Sequence, residues 1–415
     1  MTDHPVSLVL NYQQTGKYAL NVIAGSIMTR RRLRGIPVYF SKNRVELATH
    51  IAQAQRQSQK VVVGWSFYSP QFKDMTSELA LVKQQVNFPT VMHLAGGVHA
   101  TAEPRQTLNA GFDLAAIGEG EQIICDLLGA ILHGHDTTTV RGIAYLNNGE
   151  VIKNGRGETI DLNDYPPCAS RFRKFGPIEI TRGCVYACKF CQTPFVNKAR
   201  FRHRSIENIA HYTRIMAAYG LRDYRFVTPT ALSYGSQDET VNIDAIEAML
   251  ARVRAIVGKN RRIFYGTFPS EIRPEHVTAK HLAVLKKYVD NDNIIIGGQS
   301  GSQRILDSSR RGHDVESIMN AVNTAVQAGF RPNVDFLFGL PGETRQDAQL
   351  TIKLASQLAG LGARIHNHTF MPLPGTIDKQ TTEQIVELTA KGKAYGKWKG
   401  QLSIAKELES LRRKP

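Results

Sequence analysis

Short apolar runs alternate with longer amphipathic segments along nearly the whole chain, and this alternation limits the possible folds more than any other feature. The apolar runs have the length of strands buried on both faces, and the intervening segments have the period of helices. Such a pattern is typical of parallel sheets that helices cover on both faces. With 415 residues, 42% of them hydrophobic, the chain can build two or three such domains.

Residues 1–140 contain five of these strand–helix units. Candidate strands lie at 6–10, 36–40, 60–64, 90–93 and 114–117, and the first helix is predicted over 18–33. Five such units predict a doubly wound, Rossmann-type parallel sheet. Residues 141–176 differ, because Asn147-Asn148-Gly149 predicts the turn of a small hairpin and Tyr165-Pro166-Pro167 predicts an extended linker.

Residues 177–376 resume the alternation with longer units. Six candidate strands lie at 177–181, 223–228, 262–267, 293–297, 333–338 and 363–370. Six strand–helix units predict a partial (β/α)6 TIM-type barrel, whose chemistry is expected at the carboxyl ends of the strands. Residues 377–415 predict a C-terminal tail of one or two amphipathic helices.

Composition narrows the functional classes. No run approaches the ~18 apolar residues of a membrane span, and the first residues lack the layout of a secretory signal. Five cysteines in 415 residues are too few for a disulfide framework, so we expect a cytoplasmic protein. The formal net charge of +16 favours an anionic substrate or partner and leaves a nucleic acid open.

Three cysteines form the strongest chemical signal. Cys184, Cys188 and Cys191 have the spacing C-x3-C-x2-C directly after the first predicted strand of the barrel, where Gly183 permits a tight turn. Three thiolates from one loop can hold three irons of a [4Fe–4S] cluster and leave the fourth iron open to a chelating ligand. An alternative is a zinc site made of the three cysteines and His203, which would fit a zinc-stabilised RNA-binding protein.

With Phe190 before its last cysteine, this loop resembles that of the radical S-adenosylmethionine (SAM) superfamily. Segments 298–302, 333–344 and 370–376 resemble the family's motifs at the fourth, fifth and sixth strands. The resemblance implies that SAM is bound by Gln299, Ser300, Gly339, Gly342 and Glu343. The family's Gly-Gly-Glu after the second strand is absent, which leaves Thr228 and Thr230 as candidates to hold the amino group of SAM.

The first domain resembles cobalamin-binding domains in its layout, and with the second it resembles the cobalamin-dependent branch of radical SAM enzymes. The resemblance places the following residues at cobalamin: Asn11, Gln13, Gly16, Ser66, Gly96, Gly97, His99, Gly118 and Glu119. Gln13 stands where related domains carry the histidine that coordinates cobalt, so the resemblance implies cobalamin without a histidine ligand. A degenerate domain without cobalamin is the alternative.

The two-domain resemblance extends to the segment 267–275, which marks a group of radical SAM enzymes that combines both domains. It implies a 5′-deoxyadenosyl radical and methyl transfer to an unactivated carbon, with an electron donor such as flavodoxin or ferredoxin. Hydrogen abstraction or rearrangement without methyl transfer is the alternative. Cys125 and Cys168 cannot form a second three-cysteine cluster, which argues against a methylthiotransferase. Neither the catalytic residues nor the substrate follow from the sequence.

Overall fold

The computed structural model describes residues 4–86, 88–371 and 373–376, so the predicted helical tail at 377–415 lies outside the described residues. The chain divides into two compact units, Met1–Gly176 and Pro177–Pro415. No helix in the described ranges is both long and apolar enough to cross a membrane.

The first unit is built on one sheet of seven strands. These are β1 (His4–Asn11), β2 (Val38–Ser41), β3 (Ser58–Ser66), β4 (Val91–Gly96), β5 (Leu114–Ala116), β6 (Ile143–Asn147) and β7 (Glu150–Lys153). Their order is β2-β1-β3-β4-β5-β6-β7, and the first five are parallel. The order 2-1-3-4-5 is that of doubly wound folds, in which ligands bind where the strand order reverses, between β1 and β3.

Helices cover both faces of this sheet because β1 is apolar on both sides. They are α1 (Lys17–Ser26), α2 (Arg44–Gln57), α3 (Phe72–Gln85), α4 (Val98–Ala102), α5 (Pro104–Asn109) and α6 (Gly120–Leu132). Val6, Leu8 and Leu10 join the core under α1 and α6, whereas Val9 joins the core under α2 and α3. The doubly wound sheet expected from the sequence is therefore confirmed.

One predicted helix of this unit differs in the structure. The helix predicted over 18–33 ends at Ser26, and the two 3-10 turns Ile27–Thr29 and Arg31–Leu33 follow it. The hairpin predicted after residue 140 is present as β6 and β7, and β6 also pairs antiparallel with β5 and extends the sheet. The reason is burial: Ile143 and Ala144 are fully buried and give β5 its second neighbour.

The second unit contains six parallel barrel strands and a short ribbon. The strands are β8 (Ile178–Glu179), β9 (Thr181–Arg182), β10 (Arg202–His203), β11 (Asp223–Val227), β12 (Arg262–Phe264), β13 (Asn293–Gln299), β14 (Arg331–Phe338) and β15 (Arg364–Thr369). Two sheets, β12-β11-β8 and β13-β14-β15, are parallel throughout, and the parallel bridge Ile272↔Ile296 joins them; β9 and β10 form the ribbon. The expected six-stranded partial barrel is confirmed.

Among the described residues of this unit, seven helices accompany these strands. They are α7 (Thr193–Asn197), α8 (Ile206–Ala218), α9 (Ile243–Val257), α10 (Ala279–Tyr288), α11 (Gln303–Ser308), α12 (Val315–Gln327) and α13 (Arg345–Gly360). Along β14, Val334 and Phe336 are fully buried, and a Cβ atom added at neighbouring Gly298 would contact both Val334 and Ile318 of α12. The alternate residues of β14, among them Asp335, therefore face away from the helices, into the barrel.

Candidate functional site

The three clustered cysteines follow a glycine that cannot be replaced without strain. Gly183 has a φ of +82°, and a Cβ atom added there would lie 2.0 Å from the carbonyl oxygen of Arg200. The antiparallel pairing of β9 with β10 brings these two chain segments together. The backbone that leads into Cys184 is thus fixed by a close approach that only glycine permits.

The three thiols lie in one apolar cluster with Tyr186 and Phe201. Cys184 and Cys188 are buried, and Cys191 is partly exposed. Burial raises the pKa of Cys184 to about 11 and raises that of Cys191, and repulsion from the neighbouring thiolates raises both pKa values further. Such thiols bind soft metals by exchanging their protons for the cation. In the part of the chain that the structure describes, no three side chains converge on a single metal ion; the thiolates of an iron–sulfur cube bind three different irons.

His203 is not available as a zinc ligand. Its Nε2 donates to the carbonyl oxygen of Ser236 at 2.6 Å, and its Nδ1 lies 3.0 Å from Thr181 Oγ1. Since the carbonyl can only accept, the proton is assigned to Nε2 and Nδ1 accepts from the hydroxyl. With both ring nitrogens engaged, His203 ties the cluster loop to its neighbours, and the four-ligand zinc site loses its fourth ligand.

A polar pocket lies beside Cys188. Arg311 Nη1 is 3.6 Å from Cys188 Sγ, and Arg311 Nη2 donates to the carbonyl oxygen of Gly297 at 2.9 Å. A Cβ atom added at Gly297 would lie 2.6 Å from Glu271 Oε2, 2.7 Å from Arg311 Nη2 and 2.9 Å from Gln299 Nε2. A carboxylate, a guanidinium and an amide therefore converge on Gly297, a strand position that has no side chain.

Backbone strain marks the same pocket. Gln299 has a φ of +68°, and the register of β13 against β14 shifts between Gly297 and Gln299. A shift of this kind turns a side chain away from the direction that regular pleating would give it. A non-glycine residue with this φ costs about 1 kcal/mol or more, which a fold retains mostly at sites that use the geometry.

Glu271 is enclosed by protein atoms and yet reaches solvent. The residue as a whole is exposed to solvent, whereas its carboxyl group is closely surrounded by protein atoms. This combination is expected for a side chain that lines a concave site. This enclosure raises the pKa of Glu271, nearby Asp335 raises it further, and the Arg311 guanidinium lowers it. Sequence reasoning missed both Glu271 and Arg311. Glu271 lies in the segment 267–275, whose resemblance to the two-domain radical SAM group could have drawn attention to it. No motif in the sequence includes Arg311.

The other predicted SAM contacts have mostly local roles. Thr228 Oγ1 donates to the carbonyl oxygen of Thr230 at 2.8 Å, and both residues are buried. Ser300, also buried, lies 3.3 Å from Thr351 Oγ1 and accepts from the amide of Ser302. Of these residues and Gln299, only Gln299 points its side chain at the Gly297 position.

The predicted residues after β14 form a turn. Gly339 and Gly342 have φ values of +82° and +78°, in the region that favours glycine. The Glu343 carboxylate accepts a hydrogen bond from the amide of Gly339, which closes the turn on itself. Burial raises the pKa of Glu343.

A buried ion-pair network contacts the loop that carries Cys184, Cys188 and Cys191. The Arg273 guanidinium lies 3.6 Å from the ring centroid of Tyr186, pairs with Glu275 Oε1, and donates to the carbonyl oxygen of Arg311. Glu275 Oε2 lies 3.4 Å from His313 Nδ1. Burial alone would raise the pKa of Glu275, but His313 and Arg273 outweigh it and hold the pKa at about 2. Arg273 thus links the cluster loop to the segment that carries Arg311.

In the first unit, three predicted loops meet at the carboxyl edge of the sheet. A Cβ atom added at Gly16 would lie 2.6 Å from the carbonyl oxygen of Ser66, and one at Gly97, whose φ is +94°, would lie 2.8 Å from that of Phe67. Asn11 is buried, and its Oδ1 has no hydrogen-bond partner among the described residues. Gln13 Nε2 donates to Glu78 Oε2 at 2.6 Å. The loops at 11–16, 66–68 and 96–97 therefore come together between β1 and β3.

Two predicted residues of this unit are engaged in the fold itself. His99 is fully buried, its Nδ1 lies 3.0 Å from Ser69 Oγ, its ring lies 4.4 Å from that of Phe72, and burial lowers its pKa to about 4. Glu119 is also buried and accepts from the amide of Ile160.

Two further predicted glycines, Gly118 and Gly96, have different surroundings. Gly118, at a φ of +108°, donates through its amide to Thr101 Oγ1 at 3.2 Å. A Cβ atom at Gly96 would make only ordinary contacts, with the nearest atom at 3.6 Å. Gly118 is therefore required for its positive φ, whereas the position of Gly96 at the edge of the sheet would have room for a Cβ atom.

Comparison with known proteins identifies the second unit. Residues 178–355 match the model of the Radical SAM superfamily. This part of the chain is a radical SAM domain. Over 312 residues the chain is 25% identical to an uncharacterized methyltransferase, PH0819, of Pyrococcus horikoshii, which covers 72% of this chain and 64% of that protein. It is 30% identical over 233 residues to a tRNA-2-methylthio-N(6)-dimethylallyladenosine synthase of Magnetococcus marinus, covering 55% of this chain and 51% of that enzyme. The chain thus spans less than two thirds of either relative.

Two solved structures share the fold across both units. The radical SAM methyltransferase TsrM of Kitasatospora setae, solved with cobalamin and a [4Fe–4S] cluster, superposes with a TM-score of 0.71 at 17% identity, over 91% of this chain and 74% of TsrM. The cobalamin-dependent radical SAM enzyme OxsB, with aqua-cobalamin bound, superposes with a TM-score of 0.68 at 17% identity, over 95% of this chain and 56% of OxsB. The radical SAM domain is thus preceded by a domain whose fold these enzymes share.

Proposed function

We propose that this protein is a cobalamin-dependent radical SAM methyltransferase that acts on an unactivated carbon of its substrate. One observation carries the proposal: a loop with three cysteines lies against Arg311, which also borders the pocket of Glu271 and Gln299. The radical SAM domain and the shared fold with TsrM and OxsB support it. An electron donor such as flavodoxin or ferredoxin would serve as the partner.

Cys184, Cys188 and Cys191 are assigned as the ligands of a [4Fe–4S] cluster. Their soft sulfur donors, their apolar surroundings and their origin in one loop fit this group. When bound, the cluster supplies the electron that splits SAM into methionine and a 5′-deoxyadenosyl radical. The protein's part is to hold three irons, leave one open, and exclude water from the thiolates.

Two charged side chains fit the amino-acid end of SAM. The Arg311 guanidinium, next to Cys188, would pair with the SAM carboxylate, and the Glu271 carboxylate would accept from its ammonium group. Glu271 would then take the role of the glutamate that is missing after β11. The Thr228 hydroxyl fits that role less well, because it donates to the carbonyl oxygen of Thr230; the buried Oγ1 of Thr230, which has no hydrogen-bond partner among the described residues, is the alternative acceptor. Gln299 would contact SAM from β13, and the turn of Gly339, Gly342 and Glu343, with Ser300, would shape the pocket.

Replacing Glu271 with glutamine tests this assignment. The amide keeps the size of the carboxyl group and removes its charge, so a charge-assisted hydrogen bond worth about 1.5–3 kcal/mol would be lost. We expect SAM to bind roughly 10–100-fold more weakly to the reconstituted Glu271→Gln protein, as measured by equilibrium dialysis, with unchanged iron content. Thr230→Val is the matched control and should bind SAM as the unaltered protein does. Weakened binding in Thr230→Val alone would return the role to the threonines.

Cobalamin is assigned to the edge of the first unit between β1 and β3. The unpartnered Oδ1 of Asn11, the space at Gly96 and the glycines at 16 and 97, where loops approach closely, fit a large cofactor lying against backbone. When bound, cobalamin supplies the methyl group that is transferred. Gln13 and Ser66 would border the cofactor, with Gln13 in the place of a histidine. Since His99 and Glu119 are held within the fold, they would support this edge indirectly, together with Gly118.

Anaerobic reconstitution with iron, sulfide and cobalamin tests the function as a whole. With SAM and dithionite, we expect slow formation of 5′-deoxyadenosine and methionine even without substrate, together with retention of cobalamin on gel filtration. Iron and 5′-deoxyadenosine without retained cobalamin would support hydrogen abstraction or rearrangement instead. A protein that holds one zinc and no iron would overturn the proposal.

A further inference from the structure

Four arginines project from one short connection in the first unit. Arg30, Arg31, Arg32 and Arg34 lie in the segment that follows α1, where the 3-10 turns replace the end of the predicted helix. Leu33 and Ile36 of this segment are buried and anchor it in the core, whereas all four arginine side chains are exposed. Arg171 joins them, because its Nη1 donates to the carbonyl oxygen of Arg34 at 2.5 Å. We call these five residues the arginine surface.

The arginine surface is held by neutral groups. Arg30 donates to Gln122 Oε1 at 2.9 Å, and Arg34 donates to the carbonyl oxygen of Met28 at 2.9 Å. Arg32 Nη1 lies 2.9 Å from His133 Nε2, which accepts in the neutral ring. Within the described ranges, no carboxylate lies within ion-pair distance of any of the five guanidinium groups. Arg30, Arg32, Arg34 and Arg171 are thus oriented without being neutralised, and with the exposed Arg31 they leave a charge of about five facing solvent.

Basic side chains continue from this surface toward the edge that carries the β1 loop. Arg173 is exposed, and Lys174 Nζ lies 5.0 Å from the ring centroid of Tyr12 and 4.9 Å from that of Phe40. Tyr12 directly follows β1. A chain of positive charge therefore runs along one side of the first unit, from the start of β2 to the end of β1.

We infer that the arginine surface binds the phosphodiester backbone of a nucleic acid. Guanidinium forks match pairs of phosphate oxygens, and a row of them matches a polymer that carries one charge per nucleotide. An anionic membrane would be expected to meet apolar side chains as well, but no large hydrophobic side chain is exposed in segments 27–36 or 169–174. The net charge of +16 is in keeping with a polyanionic partner.

The test uses the full chain and a fluorescein-labelled, single-stranded 20-nucleotide RNA, with DNA of the same sequence as a second probe. Anisotropy is measured between 50 and 200 mM KCl for the unaltered protein, for R31Q/R32Q/R34Q, and for R44Q/R56Q/R105Q. The last variant loses the same charge from exposed arginines elsewhere in the first unit. Each phosphate contact contributes roughly 0.7 to the salt slope, so the surface variant should lose about 2 from the slope and roughly a hundredfold in affinity at 0.1 M salt.

The control variant should bind almost as the unaltered protein does. Binding of RNA alone, or of RNA and DNA alike, identifies the source of the phosphodiester and supports the inference. Equal losses in the two triple variants would overturn it, because the binding would then be unspecific. Absence of nucleic-acid binding at 50 mM KCl would also overturn it, whether or not the protein binds phosphatidylserine vesicles. Circular dichroism checks that the variants are folded, and none of these readouts depends on cobalamin or SAM.

Discussion

Replacing Cys188 with alanine is expected to abolish the iron–sulfur cluster. The three thiols of the loop would each hold a separate iron, so the loss of one leaves two irons without a protein ligand, and the cube becomes open to water. After anaerobic reconstitution, iron and acid-labile sulfide should fall from about four of each per chain to near background, as for any [4Fe–4S] protein that loses a ligand. Formation of 5′-deoxyadenosine should fall below detection. Cys184→Ala and Cys191→Ala should behave alike.

Cys168→Ala is the matched control for these variants. Cys168 is buried in the first unit, outside the apolar cluster of the three thiols, and its substitution also removes one buried sulfur atom. Cys125→Ala is a second control, since Cys125 donates to the carbonyl oxygen of Ser26. Both variants should keep full iron content. Full iron content in Cys188→Ala would show that the ligands are assigned wrongly.

The second large effect is expected at Arg273. Its ion pair with Glu275 is almost entirely shielded on the arginine side, where the side chain is 4% exposed. Removing one partner of a fully buried pair typically costs 3–5 kcal/mol. Because Glu275 is 28% exposed and lies 3.4 Å from His313, we expect Arg273→Leu to lower the free energy of unfolding of the radical SAM domain by the lower end of this range, about 3 kcal/mol, as measured by urea denaturation of the cluster-free protein. The Tyr186 ring would also lose the guanidinium above it, so reconstitution should give less iron.

Arg262→Leu provides the contrast. Arg262 makes a comparable pair with Asp223 at 2.8 Å, but its side chain is 62% exposed, and exposed pairs contribute about 1 kcal/mol or less. Leucine at both 273 and 275 should recover much of the stability, because no buried charge then remains unpaired. Equal losses in Arg273→Leu and Arg262→Leu would contradict the role given to the buried network.

The contribution of the Arg273–Glu275 pair to stability is expected to decrease at low pH. The pKa of Glu275 is about 2 in the folded protein, below the ~4.3 of an unfolded glutamate. Its contribution to stability is therefore fully present above about 4.3 and is lost as the pH falls toward 2. The stability difference between the unaltered protein and Arg273→Leu should shrink in this window.

Much of the fold follows from local pattern. The six barrel strands lie where their apolar runs predict them, because strands buried on the helix side must be apolar at alternate positions and helices must follow each strand. The cysteine loop could also be recognised from the sequence, since all three cysteines and Gly183 lie within nine residues. The first helix was predicted too long because apolar residues keep a helical period through Leu33, although the chain must turn after Ser26 to reach the start of β2.

The polar pocket was much less readable. Glu271, Gln299 and Arg311 come from three separate segments and meet only because β13 places a glycine between them. No sequence motif predicts that these three side chains come together, because each one alone resembles an ordinary charged or polar residue beside a strand. Likewise, the arginine surface needs the two 3-10 turns and the segment around Arg171 to form, so a charge count along the chain does not reveal it.

The close approach of Gly183 to Arg200 bears on how the protein recovers from oxidation. If an iron–sulfur cluster were lost, a free loop of this length would adopt many conformations, and reassembly would have to bring its thiols together again. In this protein one end of the loop is fixed by the contact of Gly183 with Arg200, and His203 holds the neighbouring strand against Thr181 and Ser236. With the cluster bound as proposed, reassembly would start from a loop whose thiols are already close together, which favours reloading with iron.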